Sequence, residues 1–142
     1  MTEDTGEAEL KKIPVRIPQW TYCKSGEYEK RLKAFSKTHR AETQNCVANF
    51  NRYFDELNAG HKPQHISRGF LHSEQAGVLA IDQSGPHQTK LKALRLYVYP
   101  DEATATLYVL TIGDKSTQKD DVKRCAVEVR SLIKERDDKN KK

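Results

Sequence analysis

Two short stretches carry side chains suited to gripping a phosphodiester. In the first, Leu91 to Tyr99 alternates. Leu94, Leu96 and Val98 fall on one face, Arg95, Tyr97 and Tyr99 on the other, with Lys90 and Lys92 just ahead. An arginine fork can hold two phosphate oxygens at once, while aromatic rings stack bases. If that face is open, cations and rings line one surface. No acid lies between Asp82 and Asp101, so a buried Arg95 would have no partner nearby in sequence. Strand tyrosines also serve as packing residues, and Tyr97 admits both readings.

The second stretch is Gly113-Asp114-Lys115-Ser116-Thr117-Gln118-Lys119-Asp120-Asp121. It follows a β-branched and aromatic run, Thr106 to Ile112, and opens a basic helical run, Asp121 to Lys134. A strand that ends in glycine and re-emerges as a helix presents the helix's first N–H groups and positive dipole end to an anion. Lys115 and Lys119 add charge there, and Gln118 can reach RNA or bond to neighbouring backbone. Asp114, Asp120 and Asp121 read as capping and dipole residues rather than metal ligands, with Ser116 or Thr117 as a further cap. Neither a metal nor a cofactor is expected.

RNA cleavage without a metal needs a base for the 2′-hydroxyl proton, cations for the charge on the phosphorane, and an acid for the leaving oxygen. Arg95, Lys115 and Lys119 are the candidate catalytic residues. Lys90, Lys92, Tyr97, Tyr99 and Gln118 are the candidate RNA-binding ones. The proton donor is not evident. Lys115, Lys119 or a histidine from the connection, His72 or His87, would take that role; an ordinary imidazole titrates near about 6.5, although a lone loop histidine is usually only solvated.

The elements that must position these groups can be read from periodicity. Residues 1–12 form an acidic tail, with four acids and no base in the first ten. Ile13 to Trp20 alternates weakly, and its two prolines confine it to an edge strand or extended arm. Ser25 or Gly26 starts a helix whose face carries Tyr28, Leu32, Phe35 and His39. After a phase slip at Arg40 to Thr43, Cys46, Val47, Phe50, Tyr53, Phe54 and Leu57 resume the spacing, so the segment is two helices or one bent one. Gly60 caps it. Residues 61–76 are an irregular connection. Strands are expected at Val78 to Asp82, Leu91 to Tyr99 and Thr106 to Ile112, with Pro100 to Ala103 as a hairpin loop. A final helix carries Val122, Ala126, Val129 and Ile133, before a charged tail over 135–142. The expected architecture is α+β, a single domain over 13–134 with helices covering one face of a small antiparallel sheet.

A chain of 142 residues is enough for one core. The net charge of +5 suits an anionic partner. From Lys11 to Arg40 there are nine bases against two acids. No run is long and apolar enough to span a bilayer, and no signal-peptide core is present, so a cytoplasmic setting is expected. The cysteines, Cys23, Cys46 and Cys125, are odd in number and far apart, which argues against a zinc site or disulfide scaffold.

The segment from Gly113 to Asp121 resembles the C-terminal signature of RelE/ParE-family toxins of the addiction module killer or HigB-like kind. These commonly read Gly-Asp-Lys-Ser-Ser/Thr-Gln, two spacers and Asp-Ile. The order of elements is also that of the RelE/ParE fold, in which two N-terminal helices lie on one face of a small antiparallel sheet and a C-terminal helix follows. The resemblance implies a type II toxin, an mRNA interferase cutting RNA on the ribosome or free. Arg95 would contact the scissile phosphate, Lys115 would be a second cation, and Lys90 and Lys92 would assist. It also implies a cognate antitoxin as partner, often a helix-turn-helix protein. Two departures stand out. Ala93 and Leu94 replace the Gly and Tyr usual before the arginine, and nothing after Tyr108 is the Tyr or His that several relatives use as acid or base. The ParE branch of the family inhibits DNA gyrase without cutting RNA, so a non-catalytic gyrase inhibitor or plain RNA-binding protein is the alternative.

Overall fold

The structure, a computed structural model, describes residues 19–84 and 92–140. Strand β1 (Thr21–Lys24) leads into helices α1 (Gly26–Thr38) and α2 (Arg40–Asn58). Strands β2 (Leu71–Ser73), β3 (Leu79–Asp82), β4 (Leu94–Asp101) and β5 (Thr106–Asp114) follow, and helix α3 (Gln118–Asn140) ends the fold. The sheet order is β1-β5-β4-β3-β2, with β1 parallel to β5 and every other pair antiparallel. The domain is therefore α+β, as expected, but its sheet is mixed rather than wholly antiparallel.

The helix starts follow the caps in the sequence. Ser25 Oγ accepts the Tyr28 N–H at 3.0 Å and donates to the Leu110 carbonyl at 2.6 Å, capping α1 and fastening it to β5. The expected phase slip is a real break: His39, at φ −135° and ψ 59°, separates α1 from α2. Beyond α2, Gly60 takes φ 98°, the left-handed conformation that suits glycine after a helix end.

Alternation along the strands sorts the core into two layers. Cys46, Phe50 and Tyr53 of α2 pack with Leu94, Leu96, Val98 and Ile112 on one face. Val122, Cys125 and Val129 of α3 pack with Val78, Ala80, Tyr97 and Leu110 on the other. The expectation that helices cover a single face is thus corrected. The apolar stripe of α3 needs its own partner surface, and the second face of the sheet supplies it. A bulge helps, since Tyr97 pairs with Thr111 and Val98 with Val109, leaving Leu110 as an extra residue aimed at α3.

Several boundaries differ from the sequence expectation. Strand β4 runs on through Pro100 and Asp101, expected in the hairpin loop, which pair with Leu107 and Thr106. The edge strand is Thr21–Lys24, fixed by pairing with β5 rather than by its own pattern; residues 13–18 lie outside the described part. The connection over 61–76 contains β2, a strand of only three residues. Helix α3 continues through the segment expected to fray, where Arg136 donates to Asp101 at 2.5 Å and ties that end to the β4–β5 turn.

Candidate nucleic-acid interface

The Gly113–Asp121 signature splits into a structural half and an exposed half. A Cβ on Gly113 would overlap the Asp121 carboxylate, so glycine is required by close approach. Asp121 is 2% exposed and accepts from Thr117 Oγ1 at 2.7 Å and from Arg31 Nη1 at 3.0 Å. The same Arg31 nitrogen reaches the Ile112 carbonyl, so one guanidinium joins α1, β5 and α3. Asp114 accepts from the Ser116 N–H and hydroxyl, shaping the turn into α3. These acids pair with protein donors, Asp114 in the turn before α3 and Asp121 in an ion pair with Arg31, rather than capping α3 as expected. Lys115 and Lys119 are left exposed, and Gln118 is half-buried between them.

These three residues line a cleft of about 440 Å³ with Glu74, Gln75 and Val122. Its opposite wall is the turn after β2, where Ala76 (φ 58°) and Gly77 (φ 80°) fold the chain back against α3. That turn brings in the group sequence reasoning missed. Glu74 Oε2 accepts from Arg95 Nη1 at 3.1 Å, with both side chains about a quarter exposed. Arg95 pairs with Gly113 in the β4–β5 register, so it lies toward the same end of the sheet as Lys115, and Glu74 both accepts from Arg95 and lines the cleft with Lys115. No motif announces Glu74, because its approach depends on the left-handed turn at Ala76 and Gly77.

The aromatic half of the expected surface is corrected. Tyr97 is fully buried beneath α3, and burial pushes its hydroxyl well above the ordinary phenol range. It belongs to the core and offers no ring to a base. Tyr99 is half-buried, stacked on Tyr108 at 6.4 Å and lying against Gly77. Alternation correctly placed Arg95, Tyr97 and Tyr99 on one face; α3 covers the far part of it and leaves the Arg95 end accessible. Lys92 is half-exposed and drawn to Asp114, 3.3 Å away, while its N–H donates to Glu42. Lys90 and His87 lie outside the described residues.

One further pair lies on this face. His72 Nε2 is 2.7 Å from Asp82 Oδ2. Asp82 is the cross-strand neighbour of Arg95 in the β3–β4 register. Burial would raise the Asp82 carboxyl, but hydrogen bonds from Ser84 and His72 outweigh it and hold the group below its usual value. The exposed strip thus contains three cations on the α3 side (Lys115, Lys119 and Lys123), an Arg–Glu pair, and a His–Asp pair. It can bind a phosphate backbone and move protons.

Comparison with protein families, curated proteins and solved structures finds no match to this chain. Among the described residues, no helix is long and apolar enough to cross a membrane.

Proposed function

We propose that this chain is a toxin of a type II toxin–antitoxin module that acts as a metal-independent endoribonuclease on mRNA and is held in check by a cognate antitoxin. One observation carries the reading. Glu74, which accepts from Arg95, borders one cleft with the exposed Lys115 and Lys119. Arg95 supplies the fork for the scissile phosphate, and Glu74 the carboxylate that takes the 2′-hydroxyl proton. Lys115 and Lys119 hold the flanking backbone, with Gln118 between them. The RelE/ParE arrangement is part of this proposal, supported by the signature and by the order of elements.

A second reading rests on the same pair. Arg95 is already engaged by Glu74, and a guanidinium that stays engaged would leave a basic surface that binds without cutting, as a gyrase inhibitor or RNA-binding protein would. Labelled RNA incubated with the purified chain in EDTA, free and in a translating extract, separates the two. Cutting that Arg95→Ala abolishes supports the nuclease; binding without cutting in both settings removes it.

A further inference from the structure

The reading above leaves one chemical role unfilled, a donor for the 5′-oxygen that departs when the phosphodiester breaks. Lys115 and Lys119 are exposed and already assigned to the flanking backbone. The His72–Asp82 pair, on β2 and β3, has no role yet.

His72 is held as a proton-transfer group is usually held. Its Nε2 meets Asp82 Oδ2 at 2.7 Å, which leaves Nδ1 as the second ring position. The carboxylate is itself fixed, because its Oδ1 accepts the Ser84 N–H at 2.8 Å. Behind it, Asn49 of α2 donates to the Asp82 and Ser84 carbonyls at 2.9 and 2.8 Å. The imidazole keeps 39% of its side-chain surface exposed, so it is oriented without being sealed off. A purely structural surface ion pair would not need a carboxylate fixed at both oxygens, since exposed pairs of that kind contribute little. The neighbours on this face complete the setting. Arg95 is opposite Asp82 on β4, and Glu74, two residues beyond His72, pairs with Arg95.

We infer that His72, oriented by Asp82, is the proton donor to the leaving 5′-oxygen. The inference rests on the nuclease reading and assigns its missing acid. In the step it completes, the 2′-hydroxyl proton passes to Glu74 as the 2′-oxygen attacks phosphorus. The bond from phosphorus to the 5′-oxygen breaks, and the proton on the His72 imidazolium passes to that oxygen. The products are a 2′,3′-cyclic phosphate and a 5′-hydroxyl. Glu74 then gives its proton to water and His72 regains one, which restores both groups. Asp82 stays ionised throughout and acts as a positioning residue.

The test uses the full chain and two RNA substrates that differ at one linkage, the normal 5′-oxygen and a bridging 5′-sulfur. A thiolate leaves without protonation, so the sulfur linkage does not need the acid. His72→Gln is expected to cut the oxygen linkage about 100-fold or more slowly and the sulfur linkage at close to the wild-type rate. Asp82→Asn is expected to show a smaller defect, also restored by sulfur. If His72→Gln cuts both linkages at the wild-type rate, or is slowed equally on both, His72 is not the donor. If the wild-type chain cuts neither, the nuclease reading falls and takes this inference with it.

Discussion

Arg95 Nη1 donates to Glu74 Oε2 at 3.1 Å across 21 residues of sequence, joining a strand in the middle of the sheet to a turn beyond its edge. The pair makes two variants separable. Arg95→Ala removes the phosphate fork and should lower both RNA affinity and cutting, the latter about 100-fold or more. Glu74→Gln removes the base and one negative charge. It should slow cutting by about 100-fold or more while RNA is bound at least as tightly as by the wild type. Initial rates and filter binding on the same preparations check this. Weaker binding by Glu74→Gln would mean that the carboxylate positions Arg95 rather than taking a proton.

Lys115 and Lys119 should behave as backbone contacts. Each lysine-to-alanine change is expected to reduce the slope of log affinity against log salt by about 1, with little dependence on RNA sequence. Fluorescence anisotropy from low to physiological salt measures it. An unchanged slope in the double variant would place the RNA elsewhere on the molecule.

The other half of the same signature should register in stability instead. Asp121 is buried against Arg31 and Thr117, so Asp121→Ala leaves the Arg31 guanidinium with only the more exposed Glu27, 3.8 Å away. A loss of about 3 kcal/mol is expected, at the low end for a buried pair because Arg31 keeps some solvent contact. Lys115→Ala, two residues past Gly113, should stay within about 0.5 kcal/mol of wild type. Urea unfolding of the two variants side by side decides the matter. Equal midpoints would deny the signature its structural role.

How far the sequence revealed this arrangement depended on whether a pattern was local. Ser25, the His39 break and Gly60 act within a turn or two of themselves, so the N-terminal helices were readable. Strand β1 reads Thr-Tyr-Cys-Lys with no apolar alternation, and β2 has three residues; both are strands because a neighbour offers free backbone groups. Tyr97 shows the limit of alternation, which says which residues share a face but not whether that face is covered. The stripe Val122, Cys125 and Val129 already required a surface to bury against, and Tyr97 is part of it. Glu74 and the His72–Asp82 pair were beyond reach because each depends on strand register or on a left-handed turn.

Acid should weaken the fold through carboxylates held below their ordinary range, Asp114 and Asp82 among them. Hydrogen bonds from the Ser116 hydroxyl, against a modest opposing effect of burial, hold Asp114 below its ordinary 3.8, and Lys92 adds to the shift. Asp82 is also held below 3.8, because the bonds from Ser84 and His72 outweigh its burial. A carboxyl depressed in the folded state binds its proton more readily when unfolded. Its contribution is therefore complete above pH 3.8 and is lost as pH falls through the lower folded value. Asp114→Asn and Asp82→Asn should each flatten the fall in thermal midpoint below that pH. An acid limb unchanged in the double variant would assign the loss to other groups.

Thiol chemistry offers an independent check on both core layers. Cys46 is on the buried face of α2 and Cys125 on that of α3, at 0% and 1% exposure, and burial pushes both thiols up to about 12. Cys23, on the edge strand, is exposed. Because the thiolate is the reacting form, a disulfide reagent such as dithiobis-nitrobenzoate should find one fast thiol in the native protein and three in urea. Cys23→Ser should leave no fast phase. A second fast thiol that persists in Cys23→Ser and disappears in Cys125→Ser would mean that α3 leaves the sheet in solution. Tyr97 would then be uncovered, and the base-stacking surface expected from the strand pattern would be restored.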